Sequence, residues 1–106
     1  MEANAPGVAI LDRVTLPRAE AEPWVERLQR EYRPSAEARG YTLAGVWQTH
    51  AEDTATVEVV ALWTLPGPRD FFRSRATSHE SNAWWRDTDA IALHRERRVM
   101  QVVGTP

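Results

Sequence analysis

Apolar and polar positions alternate along the first part of the chain that shows a regular pattern. Between Val8 and Leu16 the even-numbered residues form one face, which is aliphatic except for Asp12, and the odd-numbered residues form the other. A period of two is typical of a β-strand, and the β-branched composition favours the same structure. The pattern therefore predicts a first strand over residues 8–16.

The next segment changes to the spacing of a helix. Its apolar residues share one helical face, and they are Trp24, Val25, Leu28 and Tyr32. Acidic residues come early and arginines late, as the helix dipole favours. We expect helix 1 to begin after Pro17, to break or kink after Tyr32 because of Pro34, and to add one more turn that ends at Gly40.

The remaining pattern predicts a hairpin, a second helical region and a final strand. Residues 41–50 and 54–65 lie on either side of a short polar turn and indicate antiparallel strands 2 and 3. Helical spacing begins at Phe71, breaks at residues 77–81 and resumes through residues 83–96. Residues 97–103 are rich in β-formers and predict strand 4.

The element order β, α, β, β, α, β has one familiar solution. A four-stranded antiparallel sheet carries both helices on one face, which is the α+β ferredoxin-like sandwich. Strands 2 and 3 carry apolar residues at both even-numbered and odd-numbered positions, so both faces of the sheet are apolar there. The face away from the helices would therefore expose an apolar patch. We therefore expect a homodimer in which a second copy covers that face and an α/β barrel forms.

Length and composition fit one ordinary globular domain. The 106 residues are 42% hydrophobic and 26% charged, which is enough apolar material for one core. We expect residues 1–7 to be a flexible lead-in and residues 8–103 to form the domain. The net charge of −2 provides no broad cationic field, so nucleic acid is not an expected partner.

The sequence also bears on compartment and cofactors. It has no Cys, which excludes disulfides and thiolate metal sites. Neither the N-terminus nor any apolar run has the pattern of a signal peptide or a membrane span. We expect a cytoplasmic protein with no membrane partner, no metal and no cofactor.

Several short motifs, taken in order, resemble the NIPSNAP family within the wider dimeric α/β-barrel superfamily. They are residues 11–16, Arg33-Pro34, Gly40-Tyr41 followed by Gly45-Val46-Trp47, residues 60–63 and residues 81–85. The resemblance covers nearly the whole chain. The chain departs from the family pattern at Val14, where many relatives carry Tyr, and in the turn between strands 2 and 3, which lacks an extended Gly-containing loop.

The resemblance implies a dimer whose two sheets pack to form a barrel, with small-molecule pockets between each sheet and its own helices. It implies no single reaction. The superfamily includes cofactor-free monooxygenases such as those of antibiotic biosynthesis, cyclases, isomerases, haem-using enzymes and proteins with no known activity.

Candidate catalytic residues are isolated, because the sequence contains no phosphate-loop, metalloprotease or serine-hydrolase motif. His79 lies at the predicted break in the second helix, where an irregular backbone could aim it into the cleft as a general base. His50 ends strand 2 and could lie at the mouth of the cleft. Either histidine could instead face solvent. Asp12 is either a paired structural charge or a carboxylate suited to proton transfer.

Candidate substrate-binding residues combine strand charges with aromatic rings. They are Arg13, Tyr41, Trp47, Glu58, Trp63, Phe72, Trp84 and Trp85. The rings could line a pocket for a flat apolar ligand, or they could belong to the core or the dimer interface. Arg13 and Glu58 could equally form a structural ion pair.

Three functions fit these observations. The first is a small cofactor-independent enzyme of specialised metabolism, a cyclase, isomerase or monooxygenase, in which His79 or Asp12 moves a proton on a hydrophobic, aromatic or polyketide-like substrate. The second is a noncatalytic dimeric module that binds small molecules or a partner. The third is a haem-binding dimer, which would need His79 or His50 as an axial ligand.

Overall fold

The computed structural model describes residues 7–50, 54–67 and 79–104. Its elements are β1 (Val8–Pro17), α1 (Arg18–Arg27), a π-helical segment (Leu28–Tyr32), α2 (Arg33–Ala38), β2 (Thr42–Gln48), β3 (Thr56–Leu65), α3 (His79–Ile91) and β4 (His94–Gln101). The four strands form one antiparallel sheet in the order β2-β3-β1-β4. The predicted ferredoxin-like α+β sandwich is confirmed.

Strand β1 lies at the centre of the sheet and explains where the core forms. Its even-numbered residues are buried beneath the helices, and so are the odd-numbered residues of β3 that pair with them, for example Val14 with Val59 and Ile10 with Trp63. From the helices, Trp24 and Leu28 are buried in the same cluster. The alternation in the sequence therefore identifies the face of β1 that the helices cover.

The first helical region accommodates its proline instead of breaking. Pro34 has no backbone N–H and cannot donate to the preceding turn, and the residues before it, Leu28–Tyr32, form a π-helical turn from which α2 continues. The helix therefore does not break after Tyr32, but of the expected break or kink an irregularity is present there, since the π-helical segment ends at Tyr32 and α2 begins at Arg33. The expected end at Gly40 is confirmed, since Gly40 has φ 95° and the amides of Gly40 and Tyr41 donate to Glu37 and Ala36, as in a Schellman motif.

The C-terminal boundaries differ most from the sequence pattern. Helix α3 begins at His79, so the predicted break is wrong for residues 79–81, while residues 77–78 and the predicted helical start at Phe71 lie outside the described residues. The helix ends at Ile91 instead of continuing to residue 96. The amide of Leu93 donates to Thr15 on β1, and pairing along β1 then takes residues 94–101 into the sheet despite their charge.

The second face of the sheet carries no helix among the described residues. Leu11, Val60 and Leu62 are half-buried there, and Trp47 on the edge strand β2 is 55% exposed. We call this surface the open face. No helix in the described part of the chain is long and apolar enough to cross a membrane.

Candidate functional site

A buried carboxylate lies at the centre of the sheet on the side that the helices cover. Asp12 is 2% exposed. Its Oδ1 accepts a hydrogen bond from Arg97 Nε at 2.7 Å, and its Oδ2 accepts from Arg97 Nη2 at 2.9 Å and from Trp63 Nε1 at 3.2 Å. Asp12 and Arg97 are cross-strand partners on β1 and β4. The pair therefore satisfies a charge that the core would otherwise not tolerate.

The ion pair with Asp12 keeps Arg97 in its charged form. Burial alone would disfavour a charged guanidinium, but the hydrogen bonds and the negative charge of Asp12 outweigh burial, so the pKa of Arg97 lies above its ordinary value. Arg97 is consequently a permanent cation beneath the helices. It is available to orient neighbouring polar groups.

Tyr32 connects this ion pair to the helical layer. It is 2% exposed, and its hydroxyl oxygen accepts hydrogen bonds from Arg97 Nη2 at 3.4 Å and from Arg39 Nη2 at 3.3 Å. Tyr32 is the last residue of the π-helical turn Leu28–Tyr32. Such turns occur frequently at functional sites. We call Asp12, Arg97, Tyr32 and Arg39 the buried polar cluster.

Aromatic rings surround Tyr32. Its ring stacks on Trp84 with centroids 5.3 Å apart and meets Trp63 and Trp85 edge to face at 5.5 and 5.8 Å. Trp85 is half-buried, and the guanidinium groups of Arg95 and Arg97 lie 4.9 and 5.1 Å from its ring. Although Trp84 and Trp85 are adjacent on α3, both contact Tyr32. Rings of this kind provide rigid apolar area around a polar centre.

A cavity of about 170 Å³ opens beside these rings. It lies between the π-helical segment with α2 on one side and α3 on the other, and it is lined by Glu31, Tyr32, Ser35, Ala83, Trp84 and Asp87. The resemblance led us to expect a pocket between the sheet and the helices. The observed cavity is instead between helices, and Tyr32 separates it from Asp12 and Trp63 below.

The predicted site residues divide between the two faces of the sheet. On the helix-covered side lie Asp12, Tyr41, Trp63, Trp84 and Trp85, and on the open face lie Arg13, Trp47 and Glu58. His50 is exposed beyond the end of β2 and does not line the cavity. His79 is the first residue of α3. Phe72 lies outside the described residues.

The residues of the open face form contacts of their own. Arg13 donates to Glu58 at 2.9 Å and lies 3.7 Å from Glu96, so the structural ion pair that the sequence left open is present. The indole of Trp47 covers Gly45 so closely that a Cβ there would lie 2.6 Å from the ring. These residues cannot line the cavity on the other side of the sheet.

Sequence reasoning missed three members of the buried polar cluster. Tyr32 carried only a helical-spacing signal, while Arg39 and Arg97 belong to charged stretches that a linear pattern assigns to solvent. The one available signal was Asp12 itself, because a carboxylate on an apolar strand face requires a cation nearby. No group of three or more His, Asp or Glu residues that could hold a metal ion occurs within the described ranges.

Comparison with known proteins gives structural matches only. No protein-family model and no curated protein matches the sequence. Among solved structures, an uncharacterized NIPSNAP-like domain protein from Burkholderia xenovorans superimposes with a TM-score of 0.70 and 17% identity, over 94% of this chain and 89% of that one. The predicted resemblance to NIPSNAP proteins is confirmed at the level of the fold.

Two further solved structures share the fold, and one of them is an enzyme. The cofactor-independent oxygenase SnoaB from Streptomyces nogalater matches with a TM-score of 0.62 and 18% identity, over 93% of this chain and 95% of that one. A dimeric ferredoxin-like protein from an uncultured marine organism matches with a TM-score of 0.68 and 12% identity, over 95% of this chain and 99% of that one. At these identities the matches establish the fold and no activity.

Removing the charge of Asp12 should show how much the ion pair with Arg97 contributes to the stability of the fold. Asp12→Asn leaves Arg97 buried without a carboxylate, and we expect the free energy of unfolding to fall by about 3–5 kcal/mol. Urea denaturation followed by circular dichroism measures this change. Asp89→Asn, which removes the carboxylate that Arg95 binds at the surface, is the matched control and should leave the midpoint almost unchanged. Equal midpoints for both variants would contradict the assignment.

Proposed function

We propose that the protein is a small cofactor-independent enzyme that binds a hydrophobic, aromatic or polyketide-like molecule in the cavity beside Tyr32 and Trp84. The observation that carries the proposal is the buried polar cluster directly beneath that cavity. A half-buried guanidinium in contact with a buried phenol is costly to maintain, and an arrangement of this kind is characteristic of sites that stabilise charge on a bound substrate.

We assign different roles to Asp12 and His79. Both oxygens of Asp12 accept hydrogen bonds, so Asp12 acts as a positioning residue that holds Arg97 and Trp63. His79 is the proposed general base. It lies on α3 four positions, or about one turn, before Ala83, which lines the cavity.

The reaction class is proton transfer that activates the substrate. A base that removes a proton from a hydroxyaromatic or 1,3-dicarbonyl compound generates an enolate or phenolate. That anion then cyclises, is reprotonated at another carbon to give an isomer, or forms a carbon–oxygen bond with O₂, which is the oxidant. The shared fold of a cofactor-independent oxygenase supports the last of these reactions.

Filling the cavity should abolish ligand binding without disturbing the fold. Ala83 is exposed at the cavity wall, so Ala83→Phe should fill the space that a ring would occupy. We expect the binding of 1-naphthol, followed by quenching of tryptophan fluorescence, to weaken at least about tenfold. Ala38→Phe, at an exposed α2 position outside the cavity lining, is the control and should bind normally. Undiminished binding by Ala83→Phe would contradict the assigned site.

A noncatalytic binding module is the second candidate function. It is favoured by the complete hydrogen bonding of Asp12, which leaves that carboxylate no free role in proton transfer, and by the exposure of His50. Replacement of His79 by Ala distinguishes the two candidates. An enzyme should lose turnover of a bound hydroxyaromatic, measured as product formation or oxygen uptake, while a binding module should show no turnover in either form.

The proposed partner is a second copy of the chain on the open face. Half-buried Leu11, Val60 and Leu62 form an apolar centre there, and the Arg13 ion pairs leave no unpaired strand charge in the middle of it. A two-fold interface can bury such a self-complementary surface. A dimeric protein with the same fold supports this arrangement.

A charge at the centre of the open face should separate the dimer. Leu62→Arg would place an unpaired cation in the proposed interface, and we expect the sedimenting species to change from dimer to monomer in analytical ultracentrifugation. Val103→Arg provides the control, because Val103 is 91% exposed and lies outside the strands. A wild-type protein that sediments as a monomer at micromolar concentration would contradict the proposed interface.

A further inference from the structure

Arg39 is a cation without an anionic partner in the described part of the chain. The other half-buried guanidinium of the cluster, Arg97, is paired with Asp12. Among the residues that the structure describes, the side chain of Arg39 contacts only aromatic groups: its Nη2 donates to Tyr32 Oη, and its guanidinium lies 5.7 Å from the Tyr32 ring and 5.2 Å from the Tyr41 ring. The buried polar cluster therefore contains two positive charges and one negative charge.

Hydrogen-bond donors in the same region are also left unused. Arg39 Nε is buried and has no acceptor, and the same holds for Nε1 of Trp84, a residue that lines the cavity. Tyr32 Oη accepts two hydrogen bonds and donates to none of the described residues. Buried donors are nearly always satisfied in folded proteins, so the unused donors of Arg39 and of the cavity-lining Trp84 indicate an acceptor supplied from outside the chain.

The acidic residues of the cavity do not neutralise this excess of positive charge. Glu31 and Asp87 line the cavity, and each has a carboxylate oxygen 3.7 Å from the guanidinium of Arg27. Glu31 also lies 3.4 Å from the guanidinium of Arg30, so both carboxylates are paired with guanidinium groups other than that of Arg39. Tyr32 connects the cavity to Arg39, since Tyr32 is one of the lining residues and its hydroxyl accepts a hydrogen bond from Arg39 Nη2.

We infer that the ligand of this cavity carries an anionic oxygen, as an enolate, phenolate or carboxylate, and that Arg39 and Tyr32 bind that oxygen. Charge-assisted hydrogen bonds from a guanidinium and a phenol to an oxyanion are strong in a site of low dielectric. The oxyanion supplies the missing negative charge and accepts from the unused donors. This inference rests on the proposed function and specifies the substrate class of its site.

The test compares benzoate with its neutral analogue benzamide. Both present one aromatic ring, which suits a cavity of about 170 Å³. Titration is followed through the five tryptophan indole N–H signals in ¹H–¹⁵N NMR spectra, where the Trp84 signal should move most. We expect benzoate to bind at least about tenfold more tightly than benzamide.

Variants of Arg39 then test whether the charge of Arg39 causes the preference for benzoate over benzamide. Arg39→Gln should remove the preference for benzoate while leaving the weaker binding of benzamide, and Arg39→Lys should restore part of the preference because it keeps the charge. Arg33→Gln is the matched control, since Arg33 on α2 binds Gln29 and Glu37 at the surface, and it should retain the full preference.

The outcomes separate this inference from the proposed function. Equal affinities for benzoate and benzamide in the wild-type protein would overturn the inference while leaving an aromatic pocket in place. A preference for benzoate that survives in Arg39→Gln would also overturn it. No change of the Trp84 signal with either probe would overturn both the inference and the proposed pocket.

Discussion

The carboxylate of Asp12 imposes the main constraint on this structure. Because β1 is flanked by β3 and β4 and covered by the helices, the side chain cannot reach water and must find its partners within the fold. Arg97 comes from β4 and Trp63 from β3. These contacts link the three neighbouring strands through one side chain, so the register of the sheet and the position of the polar cluster depend on each other.

The same constraint organises the helical layer. Arg97 contacts both Tyr32 and the ring of Trp85, and Tyr32 in turn stacks on Trp84. The two helical regions therefore meet over the ion pair, and the cavity lies where they meet. The opposite face of the sheet has a different composition, with half-buried aliphatic residues around the Arg13 ion pairs. The proposed ligand site and the proposed association surface therefore lie on opposite faces of one small sheet.

Much of the fold could be predicted from local pattern, while most of the site could not. The alternation in β1 and the Gly40 signal at the end of α2 are local and were sufficient for the sandwich. Strand β4 was placed too late because residues 94–96 are as polar as a surface helix, and only pairing with β1 makes them extended. Tyr32 and Arg39 are seven residues apart across α2, a spacing that places two residues on one helical face, but a linear pattern assigns the charged Arg39 to solvent. Arg97 meets Asp12 across 85 positions of sequence.

Native mass spectrometry of the gently purified protein tests the central claim most directly, because it reports association and ligand retention together. Two chains of 12.1 kDa together with a small organic anion are the result that this account predicts. The bound molecule would then be released on denaturation and identified by its mass. A bare monomer under conditions that preserve weak complexes would contradict both the association face and the ligand site.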